Sequence, residues 1–195
     1  MNTKQFFETK KIVLLALLTA VVILLQILAS VIPVYPFRLN LVLIPIVVGA
    51  AMISPLAGCW LGLVFSIVVL WTSPDVIPFM TFNPAASIIV ILLRGVMAGL
   101  CSGWVYLALA GKDKTVAVIA AAAICSIVNT GIFVIGIYLF FIPLLAEWGV
   151  TGAANIASFV FLVMIGFNFL FEFSINLIFS PAIVRLIQYG QAKRQ

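Results

Sequence analysis

Long apolar runs cover most of the chain, and short segments rich in proline, glycine and charge separate them. A helix needs about 20 apolar residues to cross a bilayer core of about 30 Å. The second and third runs are short, and they fit either two short helices or one re-entrant pair. The pattern predicts an all-α integral membrane bundle of six helices, forming a single domain over residues 1–195. The predicted spans are Ile12–Ile32, Leu39–Ile53, Ala57–Trp71, Ala85–Ala110, Thr115–Phe141 and Ile156–Ile187.

The segments between the runs predict the loops. Thr72–Pro84 contains three prolines, and Pro143–Asn155 combines a proline with two glycines, so both are expected to be irregular. No obvious small-residue cleavage site follows the first run. It is therefore interpreted as a retained span and not as a signal peptide.

Composition supports the membrane assignment and excludes several kinds of chemistry. The chain is 66% hydrophobic and 8% charged, whereas soluble domains carry about 25% charged residues. There is no histidine, and the three cysteines show no CxxC spacing, so we expect neither a metal site nor a disulfide set. There is also no Walker motif. The sequence therefore predicts a protein that is not an enzyme and that has no cofactor of its own.

The positions of lysine and arginine predict the orientation in the membrane. With six spans, eight of the ten basic residues fall on one side of the membrane. The positive-inside rule makes this side cytoplasmic, and both termini lie on it. The opposite side receives Arg38, Asp75 and Glu147. The net charge of +5 therefore reflects membrane topology, and no nucleic-acid partner is expected. The eight residues are Lys4, Lys10, Lys11, Lys112, Lys114, Arg185, Lys193 and Arg194.

A few polar side chains lie inside the apolar runs. Asn168, Glu172 and Asn176 are spaced at i, i+4 and i+8, so on a helix they form one narrow stripe. Arg94 lies deep in its run, where a charge facing lipid would be costly. Arg94 fits structural pairing or a functional role, and Asn129 fits a helix–helix hydrogen bond or a pocket wall. For Glu172 we favour a polar pocket.

Glu172 would be costly as an unpaired anion in this setting. We expect it to be protonated or to join a hydrogen-bond network with Arg94 or Asn129. Replacing Glu172 with Gln tests this expectation, and unchanged binding and folding would contradict a charge-dependent role.

Two further patterns have a plain and a functional interpretation. Aromatic residues in the outer loops, including Trp71, Phe79 and Trp148, fit an interfacial belt or a lid over a pocket. Small residues recur every four positions. They fit close packing of helices within the bundle, and on the first helix they also fit docking of a partner membrane protein. These residues are Ala16 and Ala20, Gly58 and Gly62, and Gly95, Gly99 and Gly103.

Over nearly its whole length, the chain resembles the substrate-binding S components of energy-coupling factor (ECF) vitamin transporters. The order and spacing of several short strings carry the resemblance. The strings are Thr9–Ile12, Leu17–Ala20, Ile44–Ala50, Ser54–Gly58, Leu93–Gly99, Asn129–Thr130 with Gly136–Leu139, and Glu172 ahead of Pro181–Val184.

The resemblance implies a six-helix bundle in the cell membrane, in a bacterium the plasma membrane, which binds a vitamin or precursor near the outer face. It implies an EcfT-like transmembrane coupling subunit and two ABC-type ATPases as partners, with docking at Ala16 and Ala20. The pantothenate- and cobalamin-type branch is the most similar, and we favour pantothenate because Arg38 or Arg94 suits a carboxylate. The candidate substrate-binding residues are Arg38, Asn83, Arg94, Asn129, Asn168, Glu172 and Asn176.

Two rival functions stay open at this point. A self-sufficient proton-coupled carrier would use Glu172 as its titrating group and would catalyse uptake driven by a pH gradient. A structural or assembly subunit would show no saturable binding of a small molecule.

Overall fold

The computed structural model describes residues 3–31, 41–166, 169–170, 173–175, 178 and 185. This part of the chain is helical and contains no strand, which confirms the all-α prediction. The helices are α1 (Thr3–Val31), α2 (Leu43–Met52), α3 (Pro55–Thr72), α4 (Ile77–Phe82), α5 (Pro84–Leu109), α6 (Lys114–Gly136), α7 (Ile142–Glu147) and α8 (Ala153–Ser158).

Four helical stretches of the described chain are long and apolar enough to cross a membrane. The apolar helix α2 is shorter than a full span. Only part of the predicted sixth span lies within the described residues, so the count of six helices and the cytoplasmic termini stay predictions. The four stretches are Thr9–Val31, Pro55–Thr72, Pro84–Leu109 and Lys114–Glu147.

Polar caps set the starts of the long helices. The side chain of Ser54 accepts a hydrogen bond from a backbone N–H of α3, and Asn83 does the same for α5. In both cases a proline, Pro55 or Pro84, occupies the first helical position, where its missing N–H leaves no bond unmade. Asp113 caps α6 through two backbone N–H groups. These short Ser-Pro, Asn-Pro and Asp signals fix where each helix begins.

The segment Thr72–Pro84 is more ordered than the sequence suggested, and the loop prediction was wrong here. It contains a 3₁₀ turn over Pro74–Val76 and the short helix α4. Both Pro74 and Pro78 lie in the first turn of a helical element. Proline is tolerated there, so these prolines start helices and do not break them.

A similar correction applies at the end of the fifth predicted span. The helix does not end at Phe141 but continues through a π-helical segment, Ile137–Phe141, into α7. Pro143 lies in the first turn of α7, where it is again tolerated. The turn that follows uses Gly149 and Gly152, whose φ values of 79° and 88° favour glycine.

Helices α3 and α5 cross with their backbones in contact. A methyl group added to Gly58 would lie 2.5 Å from the carbonyl oxygen of Gly99, and one added to Gly62 would overlap the carbonyl oxygen of Gly95. The interpretation of these glycines as packing positions within the bundle is therefore confirmed. The other face of α5 packs against α6, so α5 lies between α3 and α6.

Two apolar cores surround these crossings. The larger one joins α1, α2, α3, α5 and α6, with Ile46, Leu61 and Phe65 fully buried. The smaller one joins α4, the π-helical segment, α7 and α8 around Phe141 and Leu145. A cavity lies between the two cores.

Candidate ligand cavity

The cavity has a volume of about 320 Å³ and is lined by residues of α1, α3, α4, α5 and α6 and of the segments that join them. It lies at the end of the bundle where α1 and α3 finish and α5 begins. This end is opposite to the α5–α6 turn, which carries Lys112. Sites for small molecules usually occupy about 300–1,000 Å³. The size therefore suits a small ligand.

Helix α6 and the π-helical segment build one wall from a regular series of residues. Asn129, Phe133, Ile137 and Phe141 follow at four-residue intervals, and all of them line the cavity. In an α-helix each four-residue step drifts by about 40° around the axis. The wider π turn reduces this drift. The π-helical segment therefore keeps Phe141 on the same wall as Asn129.

Arg94 of α5 lines the cavity. Its guanidinium carbon lies 5.3 Å from the ring centroid of Phe133 and 5.9 Å from that of Phe65. Both distances are within the range of cation–π contacts. Among the lining residues that the structure describes, Arg94 is the only cation. A charge in the membrane is therefore held against aromatic rings beside a space that suits a ligand.

Asn129 lines the same cavity and is 4% exposed. Its Oδ1 atom is buried and has no hydrogen-bond partner in the described part of the chain. A buried polar group left without a partner costs about 1–3 kcal/mol. Asn129 was expected either to form a helix–helix hydrogen bond or to line a pocket. Its position fits a pocket wall, since no described residue on another helix bonds its Oδ1 atom.

A small polar network joins α1 to the end of α3 at one side of the cavity. The Nε2 atom of Gln26 donates to Ser73 Oγ at 3.2 Å and to Ser30 Oγ at 3.3 Å. The hydroxyls of Ser30 and Thr72 lie 2.9 Å apart. Gln26 was not among the binding residues predicted from the sequence. The available signal was an amide inside the first apolar run.

Aromatic rings close the cavity on the side of α4. The ring of Phe79 packs edge-on against Phe133, Phe141 and Trp148, with centroid distances of 6.0, 5.0 and 6.1 Å. Phe79 itself is 8% exposed and lines the cavity. Its position fits the lid interpretation.

Two other residues near α4 lie in different surroundings. Asp75, in the 3₁₀ turn Pro74–Val76, also lines the cavity. Trp71 is 87% exposed, which fits an interfacial belt. The outer aromatic residues therefore do not form a single functional group.

The remaining predicted binding residues are placed differently. Asn83 is not among the lining residues, and its Oδ1 accepts a hydrogen bond of 3.1 Å from the backbone N–H of Ala86. Its predicted contact with substrate stays a prediction. Arg38, Asn168, Glu172 and Asn176 lie outside the described residues, so their roles also stay predictions.

Ala16 and Ala20 are exposed on the side of α1 that faces away from the bundle. Large apolar side chains surround them on this face, including Val13, Leu17 and Leu24. Within the described residues, no group of acidic, cysteine or histidine side chains could hold a metal ion.

These features define a class: a helical membrane protein with a cavity for a small molecule near one end of its bundle. A family model described as the ECF transporter substrate-specific component matches residues 10–184. The chain belongs to this family. It is thus a multi-pass membrane protein that serves as the substrate-binding subunit of an ECF transporter, and the family is not one of enzymes. Members work with an EcfT-like coupling subunit and ATPases. Comparisons with curated proteins and with solved structures gave no significant match.

Proposed function

We propose that this chain binds pantothenate or a vitamin precursor of similar size, and delivers it for ATP-driven uptake through an EcfT-like subunit and two ATPases. The observation that carries the choice of ligand is the cavity with Arg94 in its wall.

The size of the cavity favours pantothenate over cobalamin. At about 320 Å³, the cavity is at the lower limit of the usual range for ligand sites. Cobalamin combines a corrin ring with a nucleotide loop and is several times too large for this space. Pantothenate is a short, flexible chain that a cavity of this volume can surround.

Arg94 provides a candidate anion site in a cavity wall that also contains Asp75. The guanidinium of Arg94 has five N–H donors in a planar fork, so it can bind a carboxylate while keeping other contacts. Pantothenate carries a carboxylate at one end. The rings of Phe65 and Phe133 lie beside the guanidinium that would make this contact.

The experiment is a thermal-shift screen of the purified chain in detergent against water-soluble vitamins: pantothenate, biotin, thiamine, riboflavin, folate and cobalamin. A ligand that binds the native state raises the melting temperature by mass action. We expect the largest shift with pantothenate. The matched control is panthenol, in which an alcohol replaces the carboxylate. Its affinity should be about ten- to hundredfold lower, because a hydrogen bond to a charged group is lost.

Two outcomes would contradict the proposal. Equal shifts of the melting temperature with pantothenate and panthenol would show that Arg94 does not act as an anion site. Uptake of a vitamin by the chain alone in proteoliposomes, driven by a pH gradient, would instead support a proton-coupled carrier that uses Glu172.

The exposed face of α1 is the proposed docking site for the coupling subunit. Ala16 and Ala20 leave a shallow strip between larger side chains on this face. Such a strip lets a second helix approach closely within the membrane. Family membership supports the existence of this partner, and the exposure of the two alanines supports the location.

A further inference from the structure

Three buried polar oxygen atoms have no hydrogen-bond partner among the described residues. They are Ser66 Oγ, Ser102 Oγ and Asn129 Oδ1. Of the three residues, only Asn129 lines the cavity. An unpartnered side chain in a cavity wall differs from one in a packed helix contact, because a ligand can supply the missing partner.

We propose that Asn129 determines specificity by recognising an uncharged amide or hydroxyl group of the cargo, next to the anion held by Arg94. This inference rests on the function proposed above and refines it. A carboxamide has one acceptor oxygen and two N–H donors, so it pairs best with a group that also donates and accepts. An apolar ligand group would leave the buried amide without a partner. The site therefore selects against such ligands.

Both recognition groups lie near Phe133 of α6. Asn129 lies four residues before Phe133, which corresponds to about 6 Å along the helix. The Arg94 guanidinium lies 5.3 Å from the centroid of the Phe133 ring. Asn129 and Arg94 therefore line one cavity near the same aromatic ring. Pantothenate carries an amide two methylene groups from its carboxylate, so one molecule contains both groups that the proposal requires.

The test compares Asn129→Leu with the wild-type chain by calorimetric titration with pantothenate. Leucine has a similar volume but cannot form hydrogen bonds. We expect the Kd to rise about ten- to hundredfold. The melting temperature of the ligand-free variant should stay the same or increase, since a buried group without a partner has been removed. The matched control is Ser102→Ala, which should leave the Kd unchanged.

A second ligand separates direct recognition from a structural role. In an ester analogue of pantothenate, an oxygen replaces the amide N–H. The wild-type chain should bind this analogue more weakly than pantothenate, whereas Asn129→Leu should bind the two with similar affinity.

Specific results would overturn the inference. The inference is overturned if Asn129→Leu binds pantothenate as tightly as the wild-type chain does. It is also overturned if the ligand-free variant melts at a lower temperature and its affinities for pantothenate and the ester analogue fall equally, because this combination indicates a structural role. If the wild-type chain does not bind pantothenate, the substrate proposal fails. The variants are then titrated with the tightest vitamin of the screen, and equal affinities would overturn the role of Asn129 separately. If no vitamin binds, both proposals fail.

Discussion

Arg94 is the only charged residue of α5, a helix long and apolar enough to cross a membrane. Its depth within an apolar run indicated that it does not face lipid, and the structure places it in the cavity wall beside Phe65 and Phe133. Asn129 was found by the same reasoning. Phe79 was harder to assign, because an aromatic residue near a membrane surface fits a belt as well as a lid. Only its packing against three other rings distinguishes the two.

Substitution of Arg94 tests the anion site directly. Arg94→Met should weaken pantothenate binding about ten- to hundredfold, because hydrogen bonds to a charged group are lost. Arg94→Lys keeps the charge but not the planar fork, so its Kd should lie between those of the wild type and Arg94→Met. Calorimetric titration of the three purified proteins measures this order. Wild-type affinity of Arg94→Met would contradict the assignment.

At the scale of elements, the long apolar runs and their caps were predictable, whereas the backbone irregularities were not. Ser54, Asn83 and Asp113 mark helix starts with side chains that are visible in the sequence. The π-helical segment Ile137–Phe141 has no comparable signal, because its residues are apolar like the helix around it. Its effect on Phe141 depends on packing across the cavity, which sequence periodicity does not contain.

The contact between α3 and α5 predicts a sharp difference between two glycines. Gly62→Ala would push a methyl group into the Gly95 carbonyl, so the free energy of unfolding should fall by about 1–3 kcal/mol. In the matched control Gly131→Ala, the methyl group meets no atom within 4 Å. This variant should be as stable as the wild type, or up to about 1 kcal/mol more stable, through higher helix propensity. Unfolding in detergent micelles followed by circular dichroism measures both. Equal stability of the two variants would contradict the close crossing.

At the scale of the whole molecule, the position of the cavity agrees with the membrane orientation that the basic residues predict. The cavity lies at the end opposite to Lys112, and thus on the side expected to face outward. Composition alone identified a membrane protein, and the order and spacing of short sequence motifs indicated its family. The size of the cavity depends on how the helices assemble, so it required the structure.

Cysteine labelling in intact cells tests this orientation. In a variant with alanine at the three native cysteines, Thr151→Cys should react with a membrane-impermeant maleimide, because its loop is expected to lie outside. Lys112→Cys should react only after the membrane is permeabilised. Both positions are exposed in the structure, so access within the protein is not limiting. The reverse labelling pattern would show that the orientation is wrong.

The docking proposal predicts a separation of binding from assembly. The double variant Ala16→Leu with Ala20→Leu should bind pantothenate with wild-type affinity, because neither residue lines the cavity. It should no longer co-purify with the EcfT-like subunit, since the larger side chains block close approach of helices. Leu28→Phe, at the other end of α1, serves as the control and should keep the partner. Co-purification of the double variant would rule out this docking face.

The glycine crossing of α3 and α5 also has a thermodynamic consequence. Ordinary helix contacts require side chains to give up rotameric freedom, but glycine has no rotamers to lose. Where Gly58 meets Gly99 and Gly62 meets Gly95, the two helices contact each other through backbone atoms without this entropic penalty. We expect α3 and α5 to stay together as one rigid unit when a ligand enters, so that the structural adjustments fall on α4 and the aromatic rings above the cavity.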